Sequence, residues 1–151
     1  MHTKSFALPF SLILLLLYLS FPLRAVGQDA EQTPFKAYLV NEEYGVFLNI
    51  DFTGDGITVP GQELFGSVPG YLGSQRDSRK WLITDAQLTG PTEARLSIVN
   101  DYGSEDLVAV LRLNADGTYT LKQGKGSRIK IVENRKWVKL PTELTLTPKN
   151  K

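Results

Sequence analysis

The sequence predicts an all-β protein, a single antiparallel meander of about eight to nine strands closed as a barrel or sandwich. Three observations support this fold class. Apolar and polar residues alternate with a period of two in many short segments. Glycine, proline, asparagine and aspartate separate these segments, and no segment of useful length has the helical period. Such a sheet must close or fold over itself to bury one face and protect its edges.

About nine segments carry the strand pattern, and most are joined to the next by a short turn. The predicted strands are residues 35–40, 44–52, 80–88, 94–100, 106–113, 118–123, 128–132, 136–140 and 143–147. Asp116 and Gly117, between two of these segments, are typical of a tight hairpin turn. The alternation predicts a core built from Val46, Leu48, Ile50, Phe52, Trp81, Ile83, Leu96, Ile98, Leu107, Ala109, Leu111, Leu113, Tyr119, Leu121, Ile129, Ile131, Leu144 and Leu146.

Residues 59–74, VPGQELFGSVPGYLGS, contain Val-Pro-Gly twice. Pro-Gly fits the centre of a type II turn, so each copy predicts a turn, and the two turns would flank a short strand over residues 62–67. The alternative is a ligand-binding loop, since long glycine-rich loops on β scaffolds often carry function. A nucleotide loop is excluded, because the glycine spacing lacks the phosphate-binding lysine and the helix that would follow it.

Residues 1–27 have the layout of a secretory signal peptide: a basic start, an apolar run and small residues before the cleavage point. Cleavage there would leave residues 28–34 as a flexible leader and residues 35–148 as the β domain. The alternative is an uncleaved membrane anchor, but Pro9 and Pro22 interrupt the apolar run. We therefore expect a periplasmic or extracellular protein with no stable membrane insertion after cleavage.

The composition excludes several classes of chemistry. The chain has no cysteine, and its one histidine, His2, lies within the expected signal peptide. A mature protein without imidazole or thiol cannot form a Ser-His-Asp or Cys-His catalytic centre. It also cannot form an ordinary zinc site, whose ligands are mostly histidine and cysteine. We therefore predict that the protein is not an enzyme and that it has no cofactor and no metal.

Carboxylates leave two weaker alternatives open. Residues 51–62 resemble a calcium loop in their first half, but Gln62 stands where the bidentate glutamate is needed, and strands flank the loop. Asp51 with Asp55, or the acidic residues of segment 100–106, could act as the paired carboxylates of a glycoside hydrolase. A carboxylate-based hydrolase is thus the third function considered.

Aromatic residues out of phase with the core indicate a binding surface. In the strand 136–140, Trp137 shares its side with Arg135 and Lys139, and Phe47 lies opposite the apolar row of its own strand. We predict these four residues as the ligand-binding residues, because exposed aromatics beside cations are favoured binding anchors. The alternative is that a bulge or a second layer of chain makes Trp137 part of the core.

Charge is divided along the chain: residues 28–119 are acidic on balance, whereas residues 120–151 are basic. An acidic partner could therefore dock on the C-terminal strands. The predicted function is an exported, non-enzymatic binding or interaction module, whose partner is an unknown protein, a glycan or a small apolar ligand and not nucleic acid. The meander is also similar to lipocalin-like barrels, which implies the alternative of a small apolar ligand held inside. A carrier needs an internal cavity, whereas an outer-face binder needs a packed interior and an exposed Trp137.

Overall fold

The computed structural model describes residues 33–150. The expected signal peptide (1–27) and most of the expected leader (28–34) lie outside the described residues. The strands are β1 (Lys36–Asn41), β2 (Val46–Asp51), β3 (Ile57–Thr58), β4 (Ser67–Val68), β5 (Gly70–Ser74), β6 (Lys80–Gly90), β7 (Glu93–Asn100), β8 (Asp106–Leu113), β9 (Tyr119–Gly126), β10 (Lys130–Glu133), β11 (Lys136–Lys139) and β12 (Glu143–Pro148). A short 3₁₀ helix spans Glu63–Phe65. Within this range, no helix has the length and apolarity needed to cross a membrane.

Eight strands form a closed antiparallel barrel in the order β1-β12-β9-β8-β7-β6-β5-β2, and β2 pairs with β1 to complete it. The all-β fold class is therefore confirmed, and of the two predicted closures the structure has the barrel. The barrel is a meander throughout: each barrel strand pairs with the next one along the chain, and the last, β12, follows β9 and closes the barrel against β1. Closure leaves none of the eight strands with an open edge.

The inside of the barrel is packed with apolar side chains. Among the predicted core residues, only Phe52 and Leu113 are partly exposed, and both pack against the buried cluster. The fully buried large side chains include Leu39, Leu48, Ile50, Leu72, Ile83, Leu96, Ile98, Leu111 and Leu121. Trp81 is buried with them, and its indole Nε1 donates a hydrogen bond to the Lys130 carbonyl at 3.2 Å.

Both ends of the barrel are covered by the chain itself. At the lower end, where β1 begins, the rings of Phe35 and Phe52 stack with their centroids 5.4 Å apart against the core. At the upper end, where β9 ends, the connection to β12 carries the β10–β11 hairpin. Ile129, Ile131 and Leu140 from this connection are buried in the same core. The hairpin therefore closes the upper end.

A second layer covers part of the barrel's outer surface. Residues 52–69 leave the sheet after β2 and cross the outside of β5 and β6, where Val59 and Val68 pack against Tyr71 and Leu82. Leu82 follows Trp81 in β6, so its side chain points out of the barrel, yet it is fully buried under this layer. The layer is a small second core that the alternation of apolar and polar residues did not predict.

The prediction for residues 59–74 was wrong in part. The first Val-Pro-Gly does form a turn, with Gly61 at φ +77° and the Gln62 amide donating to the Val59 carbonyl at 2.9 Å. The second copy does not turn, because Gly70 lies in β5. A 3₁₀ helix over Glu63–Phe65 replaces half of the predicted strand 62–67. A Cβ on Gly70 would lie 2.4 Å from the Asn49 carbonyl oxygen, so glycine is needed there for close packing of the strands.

Candidate binding site

The β10–β11 hairpin presents Trp137 at the upper end of the barrel. Its two-residue turn, Asn134 and Arg135, has φ values of +51° and +64°, as a type I′ turn requires. Ile131 pairs with Val138, and both face the core. The opposite side of the hairpin therefore faces away from the core, and Trp137 on that side is 55% exposed, in agreement with the alternation.

Two cations contact the Trp137 ring. The guanidinium carbon of Arg79 lies 4.9 Å from the ring centroid, and the Lys130 ammonium lies 5.0 Å from it. These distances are within the range of cation–π attraction. The sequence predicted Arg135 and Lys139 as site residues, and both are exposed on the same hairpin. Arg135 lies in the turn, and Lys139 pairs with Lys130 on the neighbouring strand. Their role in ligand binding remains a prediction, and the residues that contact the Trp137 ring are Arg79 and Lys130.

Arg79 and Lys130 are held in place by oxygen acceptors. Arg79 donates to the Asp77 carboxylate at 2.8 Å and to the Tyr102 hydroxyl at 3.1 Å. The hydrogen bond that Arg79 donates to Asp77, and then the one to Tyr102, raise the pKa of Arg79 above its ordinary value. Lys130 donates to Glu105 Oε1 at 2.9 Å. Both cations are thereby ordered beside the ring before any ligand arrives.

The connection between β7 and β8 forms the other wall of the site. Asn100 is buried, and its amide oxygen accepts from the Ser104 amide at 3.0 Å, while its amide nitrogen donates to Glu105 Oε2 at 3.2 Å. These bonds fix the loop and orient the Glu105 carboxylate toward Lys130. Tyr102 at the tip of this loop is 65% exposed.

These elements surround one cleft at the upper end, with a volume of about 200 Å³. Its lining includes Arg79, Asn100, Tyr102, Glu105, Lys130 and Trp137. They come from the β5–β6 connection, from the end of β7 and the loop after it, and from the hairpin, which are far apart in the sequence. No local motif relates them, so only the closure of the barrel could bring them together.

Phe47, the fourth predicted site residue, lies away from the cleft, and its role in ligand binding remains a prediction. Its ring stacks on Tyr38 at a centroid distance of 5.3 Å and meets the edge of Tyr71 at 5.7 Å. It is partly buried and packs against the second core. The outer layer therefore uses Phe47 for packing.

The two aspartates of the calcium-like loop lie in different surroundings. Asp51 is buried, with Lys36 Nζ 3.0 Å from Oδ2. Hydrogen bonds from Thr53, and then the contact with Lys36, lower the pKa of Asp51. Asp55 is exposed, and its backbone carbonyl accepts from Ser67. Over residues 33–150, no three histidine, cysteine, aspartate or glutamate side chains are grouped so that they could hold a metal ion.

Trp137 and Tyr102 are the two large exposed aromatic side chains that line the cleft, and Arg79 contacts both of them. The arrangement offers apolar ring surface, fixed positive charge and carboxylate acceptors within a few ångströms of one another. No protein-family model matches the chain, and comparisons with curated proteins and with solved structures gave no match.

Proposed function

We propose that the protein is an exported, non-enzymatic binding module that holds its ligand in the upper-end cleft against Trp137. One observation carries this proposal. Trp137 is more than half exposed even though the other side of its hairpin is anchored in the core. Large aromatics held in solvent on a rigid support mark binding surfaces, and tryptophan is enriched among residues that dominate binding energy.

The rigidity of the site supports binding over a purely structural role. Besides the buried side of the hairpin, an ion pair of 2.6 Å joins Arg76 on the β5–β6 connection to Glu133 on β10. A ligand that stacks on Trp137 would therefore meet a surface that needs little reorganisation. Such preorganisation raises affinity because less conformational entropy is lost on binding.

The packed interior favours this proposal over the lipocalin-like carrier. Large side chains such as Leu48, Leu96 and Leu111 occupy the inside of the barrel, and each is fully buried. Phe35 and Ile129 pack against the same cluster from the two ends. A carrier of this size would need small or polar residues there to leave room for a ligand.

The non-enzymatic part of the proposal rests on the residues that line the cleft. The sequence has no histidine after His2 and no cysteine at all. Of the two carboxylates that line the cleft, Glu105 is ion-paired with Lys130, and Asp101 accepts a hydrogen bond from the Lys80 amide at 3.3 Å, so each already has a structural partner. The proposed export rests on the layout of residues 1–27 alone.

A screen with matched variants tests the proposed function. Purified wild-type protein, Trp137→Ala and Phe65→Ala are compared by calorimetry against oligosaccharides, peptides and small apolar molecules. Phe65 is the control, because it is a half-exposed aromatic on the outer layer and does not line the cleft. We expect ligands of the wild type to lose at least about tenfold in affinity with Trp137→Ala, as for a binding hot spot, and to keep it with Phe65→Ala. Ligands that bind Trp137→Ala as tightly as the wild type would contradict the proposal.

A further inference from the structure

We infer that the ligand of the cleft is an anionic carbohydrate chain, one whose sugar rings carry carboxylate groups. The inference rests on the proposed function, because it names the ligand class of that same site. Three features carry it: the aromatic surface, the mixed hydrogen-bonding character of the walls, and the unpaired cations beside the cleft.

The aromatic surface suits a sugar ring. Tyr102 and Trp137 both line the cleft, and Arg79 links them by its hydrogen bond to one and its contact with the other. The apolar C–H face of a pyranose packs on an aromatic ring, where the negative π face attracts the polarised hydrogens. At about 200 Å³ the cleft is smaller than the usual pocket of an isolated small molecule, and it suits part of a longer chain.

The walls of the cleft both donate and accept hydrogen bonds. Arg79 and Lys80 supply donors, whereas Asp101 and Glu105 supply carboxylate acceptors. A sugar hydroxyl can satisfy either kind of group because it donates and accepts. An acidic peptide has no hydroxyl donors beside its carboxylates, whereas each acidic sugar ring also carries hydroxyl groups that can donate to Asp101 and Glu105. This difference favours a carbohydrate over an acidic protein segment.

The charge beside the cleft favours a carbohydrate that is negative. Arg135 and Lys139 are exposed on the hairpin, and no carboxylate among residues 33–150 forms a salt bridge with either of them. Lys139 lies on the same side of β11 as Trp137, two residues and so about 7 Å along the strand. A chain that stacks on Trp137 and runs along the hairpin would bring its charged groups to these cations.

The test uses uronic-acid hexasaccharides of two linkage types, α-1,4-galacturonate and β-1,4-mannuronate, with their methyl esters and poly-L-glutamate as comparison probes. Affinities are measured by calorimetry at low salt. We expect at least one free-acid hexasaccharide to bind, with at least about tenfold loss for its methyl ester, since esterification removes the charge and leaves the ring. We expect poly-L-glutamate to bind at least about tenfold more weakly.

Variants locate the binding. Trp137→Ala should lower the affinity for the acidic sugar at least about tenfold, while Phe65→Ala leaves it unchanged. Lys139→Gln should lower it a few-fold and reduce its salt dependence. Lys122→Gln, which removes the same charge from an exposed site on β9 away from the cleft, should do neither.

Each outcome is decisive. Equal binding of ester and free acid would overturn the requirement for charge, and equal binding of poly-L-glutamate would overturn the choice of carbohydrate. If neither hexasaccharide binds, while another ligand loses affinity with Trp137→Ala, the inference fails and the proposed function stands. If no ligand of the wild type depends on Trp137, both fail.

Discussion

The two tryptophans lie on opposite sides of the β10–β11 hairpin, which closes the upper end of the barrel. Trp81 is under the hairpin, 4% exposed, and donates its Nε1 hydrogen to the backbone of Lys130. Trp137 is on the outer side of the hairpin, and the ammonium of the same Lys130 lies 5.0 Å from its ring centroid. One lysine thus contacts both rings, the first through its main chain and the second through its side chain. The inner side of the hairpin packs into the core, and the outer side presents the proposed binding surface.

The first prediction concerns the two tryptophans and has the largest expected effect. If that effect is absent, the comparison between them is wrong. Trp81→Ala should lower the free energy of unfolding by about 3–5 kcal/mol, because it leaves a cavity in the core and an unpaired carbonyl at Lys130. Trp137→Ala should cost less than about 1 kcal/mol, since the removed ring is mostly in solvent. Urea unfolding followed by circular dichroism measures both. Equal losses would mean that Trp137 also belongs to the core.

A second prediction asks whether a side chain that faces outward is thereby unimportant for stability. Leu82 faces away from the barrel axis but is fully buried under the outer layer, whereas Leu64 on that layer is completely exposed. Leu82→Ala should lower the free energy of unfolding by about 2–3 kcal/mol, the lower part of the usual range, because a small cluster can relax. Leu64→Ala should change it by less than about 0.5 kcal/mol. A neutral Leu82→Ala would show that residues 52–69 do not hold the outer surface.

The sequence was informative where one strand keeps a regular alternation. Each of the nine segments that carry the alternating strand pattern overlaps a strand of the structure. The opposite placement of Trp81 and Trp137 follows from the alternation alone. It was uninformative about the second layer. Whether Phe47 is exposed depends on Tyr38 and Tyr71 beside it, and alternation within one strand carries no information about what covers the strand.

The two Val-Pro-Gly copies show the same limit. Turn chemistry correctly describes the copy at Gly61, where a Cβ would meet nothing within 4 Å. It fails at Gly70, where the approach of Asn49 makes the glycine a packing residue, and the strand 70–74 was missed in consequence. The partners of Trp137 were missed for a related reason. Arg79 and Glu105 reach the site through separate connections, so their proximity depends on the closure of the barrel.

A third prediction uses pH to separate stability from the site. Because Thr53 and Lys36 lower the folded-state pKa of Asp51, its stabilising effect is present above the unfolded-state pKa and is lost as pH falls through the folded-state pKa. Asp51→Asn should cost about 1–2 kcal/mol at pH 7 and almost nothing at the acid end. Trp137→Ala should leave the slope of stability against pH between pH 5 and 2 unchanged, within about 0.3 kcal/mol per pH unit. Chemical unfolding at several pH values measures these slopes, and an unchanged acid slope in Asp51→Asn would contradict the assignment.

The smallest expected effect concerns the turn that presents Trp137. Arg135 has φ +64°, a left-handed conformation that costs a non-glycine residue about 1–2 kcal/mol. Glycine removes this cost, but it also makes the unfolded chain more flexible, which offsets about 0.5–1 kcal/mol. Arg135→Gly should therefore raise the free energy of unfolding by about 0.5–1 kcal/mol and lower the affinity for an acidic hexasaccharide a few-fold, because a cation beside the cleft is lost. Asn134→Gly is the control, since asparagine tolerates φ > 0 far better and should gain less. If Arg135→Gly gains stability and keeps full affinity, Arg135 only shapes the turn. If Arg135→Gly loses stability, the arginine side chain contributes more to folding than the backbone strain costs.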